Sequence, residues 1–293
     1  MDYNHNRLAP GTFFAPMRRL AILAAFLAFW PAAARSSGPP PQELDARSVA
    51  MGGALRSLAG PLEAARMNPA AVGTARGFFA SASYATRHAS SLDAFSLTVV
   101  DNVTSPMGGA LQYLRLRGPH DREDVSLSLA AGKRGQWWGF TARYVHGRGD
   151  KNAQWEDVFT GDLGVLFERP RGLRLAVVGQ DLIDTSLDFL ARRIALGASQ
   201  SGLWGWTLAA DAVRTLEREF SRGVDLHLGA EYAPQDKPWR LRLGQMWRGD
   251  TGKDYHSVGI GWAWPNLTVG YGIQNPRQGA NGLLHAFSAE GAF

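Results

Sequence analysis

The sequence predicts an all-β fold, a closed antiparallel 14-stranded transmembrane β-barrel of the outer-membrane type with a short N-terminal helical plug. Three observations predict it. Apolar and polar residues alternate along one segment after another, short and long connections alternate between those segments, and the chain ends on an aromatic strand at Phe293. Together they indicate strands with one face toward lipid and the other toward a lumen.

The composition limits the alternatives. The 293 residues are 45% hydrophobic and 19% charged, and the mean hydropathy of −0.19 is too low for a bundle of membrane helices. The chain has no cysteine. Disulfide bonds, thiol catalysis and cysteine-ligated metal sites are therefore excluded.

The first segment, residues 1–34, has the pattern of a secretory signal peptide. MRRLAILAAFLAFWPAAA begins at Met17, which we expect to be the true start, and joins two arginines, an apolar run and small residues typical of a cleavage site. The alternative is an N-terminal membrane anchor. The apolar run Leu20 to Trp30 is shorter than the roughly 20 residues that a spanning helix needs.

The net charge argues against a nucleic-acid partner. Removing residues 1–34 takes three of 31 basic and one of 26 acidic side chains, which leaves 28 and 25, a net charge of +3. Such a near balance does not provide the basic surface that nucleic acids require.

Alternation with a period of two is clearest in WRLRLGQMWR, residues 239–248. Its apolar row contains Leu241 and Leu243, whereas its polar row contains Arg240 and Arg242. The same pattern predicts fourteen strands, an even number that suits a closed barrel. The predicted strands are residues 77–85, 92–101, 107–116, 124–132, 137–147, 157–168, 172–181, 192–200, 203–213, 223–232, 239–248, 255–264, 267–274 and 283–293.

The connections separate a membrane barrel from a soluble sandwich or lipocalin. Those after even-numbered strands are short, and those after odd-numbered strands are mostly longer and polar, as periplasmic turns and external loops are. Tryptophans also lie near strand ends, where an aromatic girdle would meet the membrane interface. They are Trp137, Trp138, Trp204, Trp206, Trp239, Trp247, Trp262 and Trp264.

Residues 35–76 precede the barrel, which we place at residues 77–293. The segment begins with a flexible leader and continues with two predicted short helices, 46–58 and 62–67. One interpretation is a periplasmic lead-in to the first strand, and the other, which we favour, is a lumenal plug. The expected plug residues are Met51, Gly52, Gly53, Asn68 and Pro69.

The run ARSVAMGGALRSLAGPLEAARMNPAAVG resembles the N-terminal signature of the PorV/PorQ family of outer-membrane proteins, A-R-x-x-x-M-G-G-A followed by N-P-A-G-L. It is similar, more distantly, to the FadL family of fatty-acid transporters. The stretches DLHLGAEY, RLRLGQMW and HAFSAEGAF resemble C-terminal motifs of the PorV/PorQ family. Ala71 and the pair Gly60-Pro61 depart from the family pattern. The resemblance implies a fourteen-stranded barrel with its N-terminal segment in the lumen.

Charged residues on the predicted inner rows form an expected lumenal polar network. If Tyr232 faces Trp239 across the hairpin, Glu231 lies opposite Arg240. We favour structural ion pairs over a selective constriction, because mixed signs select neither anions nor cations. The expected members are Arg143, Asp211, Asp225, His227, Glu231, Arg240, Arg242 and Glu290.

The sequence predicts no enzyme, cofactor or metal site. A lipid hydrolase would need a nucleophile, a base and an orienting group on one face. His285 and Ser288 fall on opposite faces of the last strand, and the histidines show no ligand spacing.

The last strand is predicted to close the barrel against residues 78–84. Phe287 and Phe293 belong to its lipid-facing row, which also carries a histidine, His285. Resemblance to other outer-membrane proteins implies that this terminal strand is the signal read by the barrel-assembly machinery. The expected partners are that machinery and outer-membrane lipid.

Two functions remain open at this stage. In the PorV-like interpretation, which is slightly favoured, the barrel is a non-enzymatic component of protein export or surface attachment and binds a secretion partner through external loops at 147–156, 181–191 and 214–222. In the FadL-like interpretation it is a plugged channel for hydrophobic small molecules. The sequence does not separate the two.

Overall fold

The computed structural model of the protein describes residues 44–118, 121–148, 154–183, 185, 190–216, 223–249, 253–277 and 282–293. The predicted signal peptide and the leader up to residue 43 lie outside these ranges. Within them, no helix is long and apolar enough to cross a bilayer.

Fourteen antiparallel strands form a closed barrel in which each strand pairs with its neighbours in sequence. This confirms the predicted fold class. The strands are β1 (Phe78–Arg87), β2 (Leu92–Asp101), β3 (Gly108–Arg117), β4 (Asp121–Lys133), β5 (Gln136–Arg148), β6 (Glu156–Glu168), β7 (Leu173–Gln180), β8 (Arg193–Leu203), β9 (Trp206–Thr215), β10 (Val224–Tyr232), β11 (Trp239–Trp247), β12 (Asp254–Ala263), β13 (Leu267–Pro276) and β14 (Leu284–Ala292).

The connections after even-numbered strands gather at one end, which we call the periplasmic end, and the others at the external end. The longest connection that the strand bounds leave is external, between β7 and β8. Three external connections, 88–91, 118–120 and 248–253, are no longer than the longest periplasmic ones.

The seam between β1 and β14 closes the barrel. Tyr84 pairs with Phe287 and Phe79 with Ala292, and the Phe293 backbone N–H donates to the carbonyl oxygen of Phe78 at 2.9 Å. Lipid offers no partner for an open strand edge, so a spanning sheet must complete every ladder within the chain.

The two faces of the barrel differ as the alternation predicts. On β11, Leu241 and Leu243 are 47% and 49% exposed on the outside, whereas Arg242 is 3% exposed on the inside. Large hydrophobic side chains are exposed in the same way along other strands, which suits contact with lipid rather than water. The chain therefore spans a membrane as an outer-membrane type barrel.

Most of the predicted girdle tryptophans do point outward. Trp138, Trp204 and Trp264 are at least half exposed near the periplasmic end. Trp137 is an exception, because it lies on the inner face, where its indole N–H donates to Glu168 at 3.0 Å and its ring packs against the segment before β1. Because successive side chains of a strand point to opposite faces, the adjacent Trp137 and Trp138 cannot both face lipid.

The hairpin between β8 and β9 corrects a predicted boundary. β8 continues to Leu203, and β9 begins at Trp206 rather than at residue 203. The turn is formed by Trp204 and Gly205, both with positive φ, and a register irregularity follows Gln200. The predicted turn at residues 201–202 lies inside the extended β8.

The register of β10 and β11 is also corrected. Tyr232 pairs with Leu241 rather than with Trp239, so Glu231 lies opposite Arg242 and not Arg240. Ala233 still bonds back to the β8–β9 turn, and the residues that follow turn at Pro234 to Lys237. The two strands of the hairpin therefore end at different positions along the barrel axis. A shift of two residues leaves each side chain on its predicted face.

Candidate functional site

The lumen is occupied by the segment that precedes β1. We call residues 44–76 the plug. It begins in the external half of the barrel, where Leu44 packs near Leu92 and Leu284, and it ends at the periplasmic end, where Val72 packs near Val100. The predicted plug residue Met51 is fully buried between these ends. The plug therefore follows the barrel axis from the external half to the periplasmic end.

Helices in the plug are shorter than the sequence predicts. The first, α1, spans Ala46–Ala50 and not 46–58. Asp45 caps its start by accepting from the Ser48 backbone N–H at 2.8 Å. Gly52 and Gly53 end it with φ of 63° and 79°, a left-handed conformation that favours glycine. The second helix, α2, spans Ala64–Met67.

Inner-face glycines bring the plug backbone against the barrel wall. We call four of them, on neighbouring strands, the glycine seat: Gly229, Gly244, Gly259 and Gly272. A Cβ built on Gly244 would lie 2.2 Å from the Gly52 nitrogen, and one on Gly272 would lie 2.5 Å from the Ala46 oxygen. Such contacts are too short for any side chain, so these strands must carry glycine here.

The Asn68-Pro69 pair sits on the opposite wall. Asn68 accepts from the Ala70 backbone N–H at 3.1 Å and donates through Nδ2 to the Arg56 carbonyl oxygen at 2.9 Å. Pro69 opens a 3₁₀ helix, Pro69–Thr74, that leads toward β1. Gly139 on β5 lies under this pair, where a Cβ would meet the Pro69 carbonyl carbon at 2.2 Å.

Charges on the plug meet opposite charges on the barrel wall at two closely paired buried sites, and Arg66 of the plug lies farther, at 3.9 Å, from Asp124 on β4. At the first, Glu231 accepts from Arg242 at 2.7 Å and from Arg47 of the plug at 3.3 Å, and Arg47 also reaches Glu63 at 3.1 Å. Burial opposes the charged form of Arg47, and the carboxylates of Glu231 and Glu63 offset this cost.

At the second site, Arg56 of the plug meets Asp211 on β9. Asp211 accepts from the Arg56 backbone N–H at 3.0 Å and from its guanidinium at 3.3 Å, and the two side chains are 2% and 0% exposed. Arg56 also donates to Gln180 at 3.4 Å. A charge that deep is stable only while its partner is present.

The external mouth holds a third ionic cluster. Arg143 on β5 bonds to Asp162 and, at 2.8 Å, to Asp181, the first residue after β7. Farther along the same connection, Leu190 packs on the inward-facing Val145. The described parts of this connection therefore fold back over the mouth rather than away from it.

The remaining predicted network residues do not form one cluster. His227 donates through Nδ1 to the Gly52 carbonyl oxygen at 2.7 Å, so it holds the plug. Asp225 lies at the external end of β10, where it accepts from the Gly249 backbone N–H at 2.8 Å. Glu290 accepts from Ser288 at 3.4 Å, and Arg240 is half-buried toward the periplasmic end.

The plug residues of these ion pairs were not predicted from the sequence. Arg47, Arg56 and Glu63 lie in an otherwise apolar segment, and isolated charges in such a segment are a signal that it faces an oppositely charged wall. The sequence predicts Asp181 at the end of a strand and does not indicate that it pairs with Arg143.

The plug leaves little free volume. Met51, Ala54 and Leu55 have no exposed surface, whereas a water-filled passage alongside them would expose them. A cavity of about 20 Å³ beside Glu63 and Glu290 has room for about one water molecule. The barrel is closed at the level of these residues.

An aliphatic surface covers the inner side of four adjacent strands in the external half. It consists of fully or nearly fully buried residues that pack together and against the start of the plug. We call it the aliphatic wall; its members are Ala85, Leu92, Ala94, Leu114, Leu116, Leu284 and Ala286. The inner face of a barrel that conducts ions or sugars is polar, whereas this surface is apolar.

The outer face of the last strand explains its histidine. His285 lies near the external end, where its ring stacks on Tyr271 at 6.2 Å between centroids and its Nδ1 lies 2.8 Å from the tyrosine hydroxyl. Phe287 packs on the same tyrosine, and Phe293 is 84% exposed at the periplasmic end. Within the described ranges, no cluster of histidines and carboxylates could hold a metal ion.

Comparisons with known proteins support the fold. No protein family matches the chain, and no curated protein does. Among solved structures, the chain is similar to CymD, a monoaromatic hydrocarbon channel, with 12% identity and a TM-score of 0.63 over 85% of this chain and 97% of that one. A Pseudomonas aeruginosa FadL homologue matches with 10% identity and a TM-score of 0.59 over 89% and 99%.

These observations define the class of protein: a plugged outer-membrane β-barrel with the fold of FadL homologues. The resemblances to the PorV/PorQ family remain resemblances of short motifs.

Proposed function

We propose that this barrel is a channel for small apolar molecules, closed at rest by the plug. The aliphatic wall is the observation that carries the proposal. It covers the inner face of β1, β2, β3 and β14 next to the start of the plug, where a polar channel would present charges and hydroxyls. The hydrocarbon channel with a similar fold supports the same class of cargo.

Passage requires the plug to move. Its contacts with the barrel include the glycine seat, the buried pairs of Arg47 and Arg56 and the bond from His227, and each of these can be broken without opening the strand ladder. Displacement of the first turn of the plug would uncover the aliphatic wall. The barrel itself then needs no conformational change.

A reversible disulfide provides the test. A Cβ built on Gly270 of β13 would lie 3.1 Å from the Ala46 Cβ of the plug and 3.0 Å from the Ser288 hydroxyl. The first distance is slightly under the ~3.5 to 4.5 Å range of disulfides, so a small adjustment allows an Ala46→Cys/Gly270→Cys bridge. The chain has no other cysteine. Cells that carry the variant would be assayed for uptake of labelled toluene, with labelled glucose for comparison.

We expect toluene uptake above that of cells without the barrel when the bridge is reduced, and uptake at the level of those cells when it is oxidised. Each single-cysteine variant should respond to neither treatment. Uptake that is unaffected by oxidation of a fully bridged barrel would refute a channel gated by the plug.

A second function is favoured by the closed lumen and by the N-terminal resemblance to the PorV/PorQ family. A barrel whose plug never leaves would serve as a partner-binding component of protein export or surface attachment. Its docking surface would be the external loops at 147–156, 181–191 and 214–222, of which residues 149–153, 184, 186–189 and 217–222 lie outside the described ranges. Affinity purification from detergent extracts distinguishes the two, because this role predicts a stoichiometric protein partner.

A further inference from the structure

The outer wall of the barrel carries a groove across β7 to β11. We call it the wall groove; it encloses about 470 Å³. Its outward-facing lining residues are Leu175, Val177, Leu196, Ala198, Ala210, Ala212, Leu226, Leu228 and Trp247. These outward-facing side chains are apolar apart from the indole nitrogen, and the inward-facing residues Ala176, Gly197 and Asp211 also border the groove.

Strand register explains the shape of the groove. Ala198 pairs with Ala210, and Ala212 lies next along β9, so three small side chains form a floor. Larger residues flank the floor on both sides, such as Leu175 beside Ala198 and Leu228 beside Ala210. The groove is thus a shallow depression whose floor lies on β8 and β9, with larger side chains of β7 to β11 around it, and it faces lipid.

Arg214 stands at the external end of this groove. It is the next outward residue of β9 after Ala212, and at about 3.4 Å per residue it lies about 14 Å along the strand from Ala210. Its cross-strand neighbours are Ile194 and Val224, each 45% exposed and aliphatic. Trp247, which pairs with Leu226, marks the headgroup level one row below it.

Arg214 differs from other outward-facing arginines near the external end in having only aliphatic cross-strand neighbours, whereas Arg117, for example, pairs with Asp93. Arg115, Arg148 and Arg277 lie 3.3, 2.5 and 3.7 Å from Glu123, Asp121 and Asp254. Among the residues that the structure describes, no carboxylate lies within ion-pair distance of Arg214. An exposed guanidinium at headgroup level, above an apolar groove, has the charge and shape for an anionic amphiphile.

We propose that the wall groove and Arg214 form a binding site for a phosphate-bearing lipid of the surrounding membrane, with one acyl chain in the groove and the phosphate on the guanidinium. The site is on the lipid side of the barrel and is independent of passage through the lumen. Arginine suits a phosphate because its planar fork donates two parallel hydrogen bonds. The apolar groove orders a chain that the flat part of the barrel wall would leave mobile.

The test is native mass spectrometry of the delipidated, detergent-solubilised barrel titrated with dipalmitoyl phosphatidylglycerol. Dipalmitoylglycerol, which lacks the phosphate, and palmitate, which carries a carboxylate on one chain, separate the contributions of head and chain. Arg214→Gln removes the charge that would bind the phosphate, and Ala210→Leu fills the floor of the groove. Arg214→Lys keeps a positive charge without the planar fork and should restore part of the binding. The matched controls are Arg117→Gln and Ala142→Leu, both outward positions away from the groove.

We expect one tightly retained phosphatidylglycerol, bound roughly tenfold more weakly by Arg214→Gln and by Ala210→Leu, with the controls unchanged and Arg214→Lys in between. Equal binding of dipalmitoylglycerol or palmitate would overturn the phosphate assignment. If the two control variants weakened phosphatidylglycerol binding as much as Arg214→Gln and Ala210→Leu do, lipid would bind non-specifically around the barrel, and the proposal would be overturned. Dimers in place of lipid adducts would identify a second barrel as the occupant and would also overturn the proposal.

Discussion

A single methyl group on the glycine seat should unseat the plug. In Gly244→Ala the new Cβ would lie 2.2 Å from the Gly52 nitrogen and 2.4 Å from the Met51 carbonyl carbon. Both are backbone atoms, which cannot rotate away as the end of a side chain can. The barrel strand is held by ladders on both sides, so the plug has to yield.

The magnitude follows from the cost of overpacking. Extra methylenes in a packed core cost about 1–3 kcal/mol, and a contact between backbone atoms belongs at the upper end. About 3 kcal/mol shifts the ratio of seated to unseated plug by roughly 100-fold. Gly109→Ala is the matched control, because its Cβ meets nothing closer than 3.8 Å and it shares the conformational effect of replacing glycine in a strand.

Cysteine labelling measures this ratio. Ala54→Cys, at a plug position with no exposed surface, is introduced into the wild-type, Gly244→Ala and Gly109→Ala barrels, and no other cysteine competes. A membrane-impermeant maleimide should label it roughly 100-fold faster in Gly244→Ala than in the other two. Equal rates in the two alanine variants, at equal amounts of folded barrel, would refute the role of the seat.

Other expected results concern the buried pair, the Asn68 cap and the seam. Asp211→Asn leaves the Arg56 guanidinium buried without its carboxylate, which should destabilise the plugged barrel by about 3 kcal/mol and lower the temperature at which the heat-modifiable band unfolds. Asn68→Ala removes a cap and a bond to the Arg56 carbonyl, so a smaller loss of about 1–2 kcal/mol is expected in the same assay, and an unchanged temperature would contradict it. Deletion of Phe293 removes the bond to Phe78 at the seam, and membrane fractions should then lack the folded band; normal insertion would contradict the assembly role.

Alternation along the chain was enough to predict the strands and their faces. Leu241 and Arg242 occupy opposite faces because side chains alternate along any strand, whatever the partner strand does. Closure follows from the same pattern, since a strand set with an apolar outer face cannot leave an edge in lipid. The seam between β1 and β14 was therefore predictable near residues 78–84.

Register and turn positions were not predictable in the same way. Glu231 pairs with Arg242 rather than with Arg240 because β10 and β11 end at different positions along the barrel axis. The local sequence does not specify those positions. Trp137 was assigned to the girdle by its position near a strand end, but alternation places it inside, where the segment before β1 covers it.

The candidate site depended most on tertiary structure. The sequence marked Gly52, Asn68 and Glu231 as candidates, but it did not pair Glu231 with Arg47 or Asp211 with Arg56, because each pair joins the plug to a strand far away in the chain. The purpose of the inner glycines was equally hidden, since only the seated plug shows what a Cβ would strike.

The sequence by itself determined that this chain builds a closed transmembrane barrel, because the alternation of side chains and the lack of hydrogen-bond partners in lipid act on every strand alike. Only the tertiary structure decided that the lumen is closed, because closure depends on whether one particular segment matches the wall in shape and charge. That match is a property of distant residues brought together, and no local pattern encodes it.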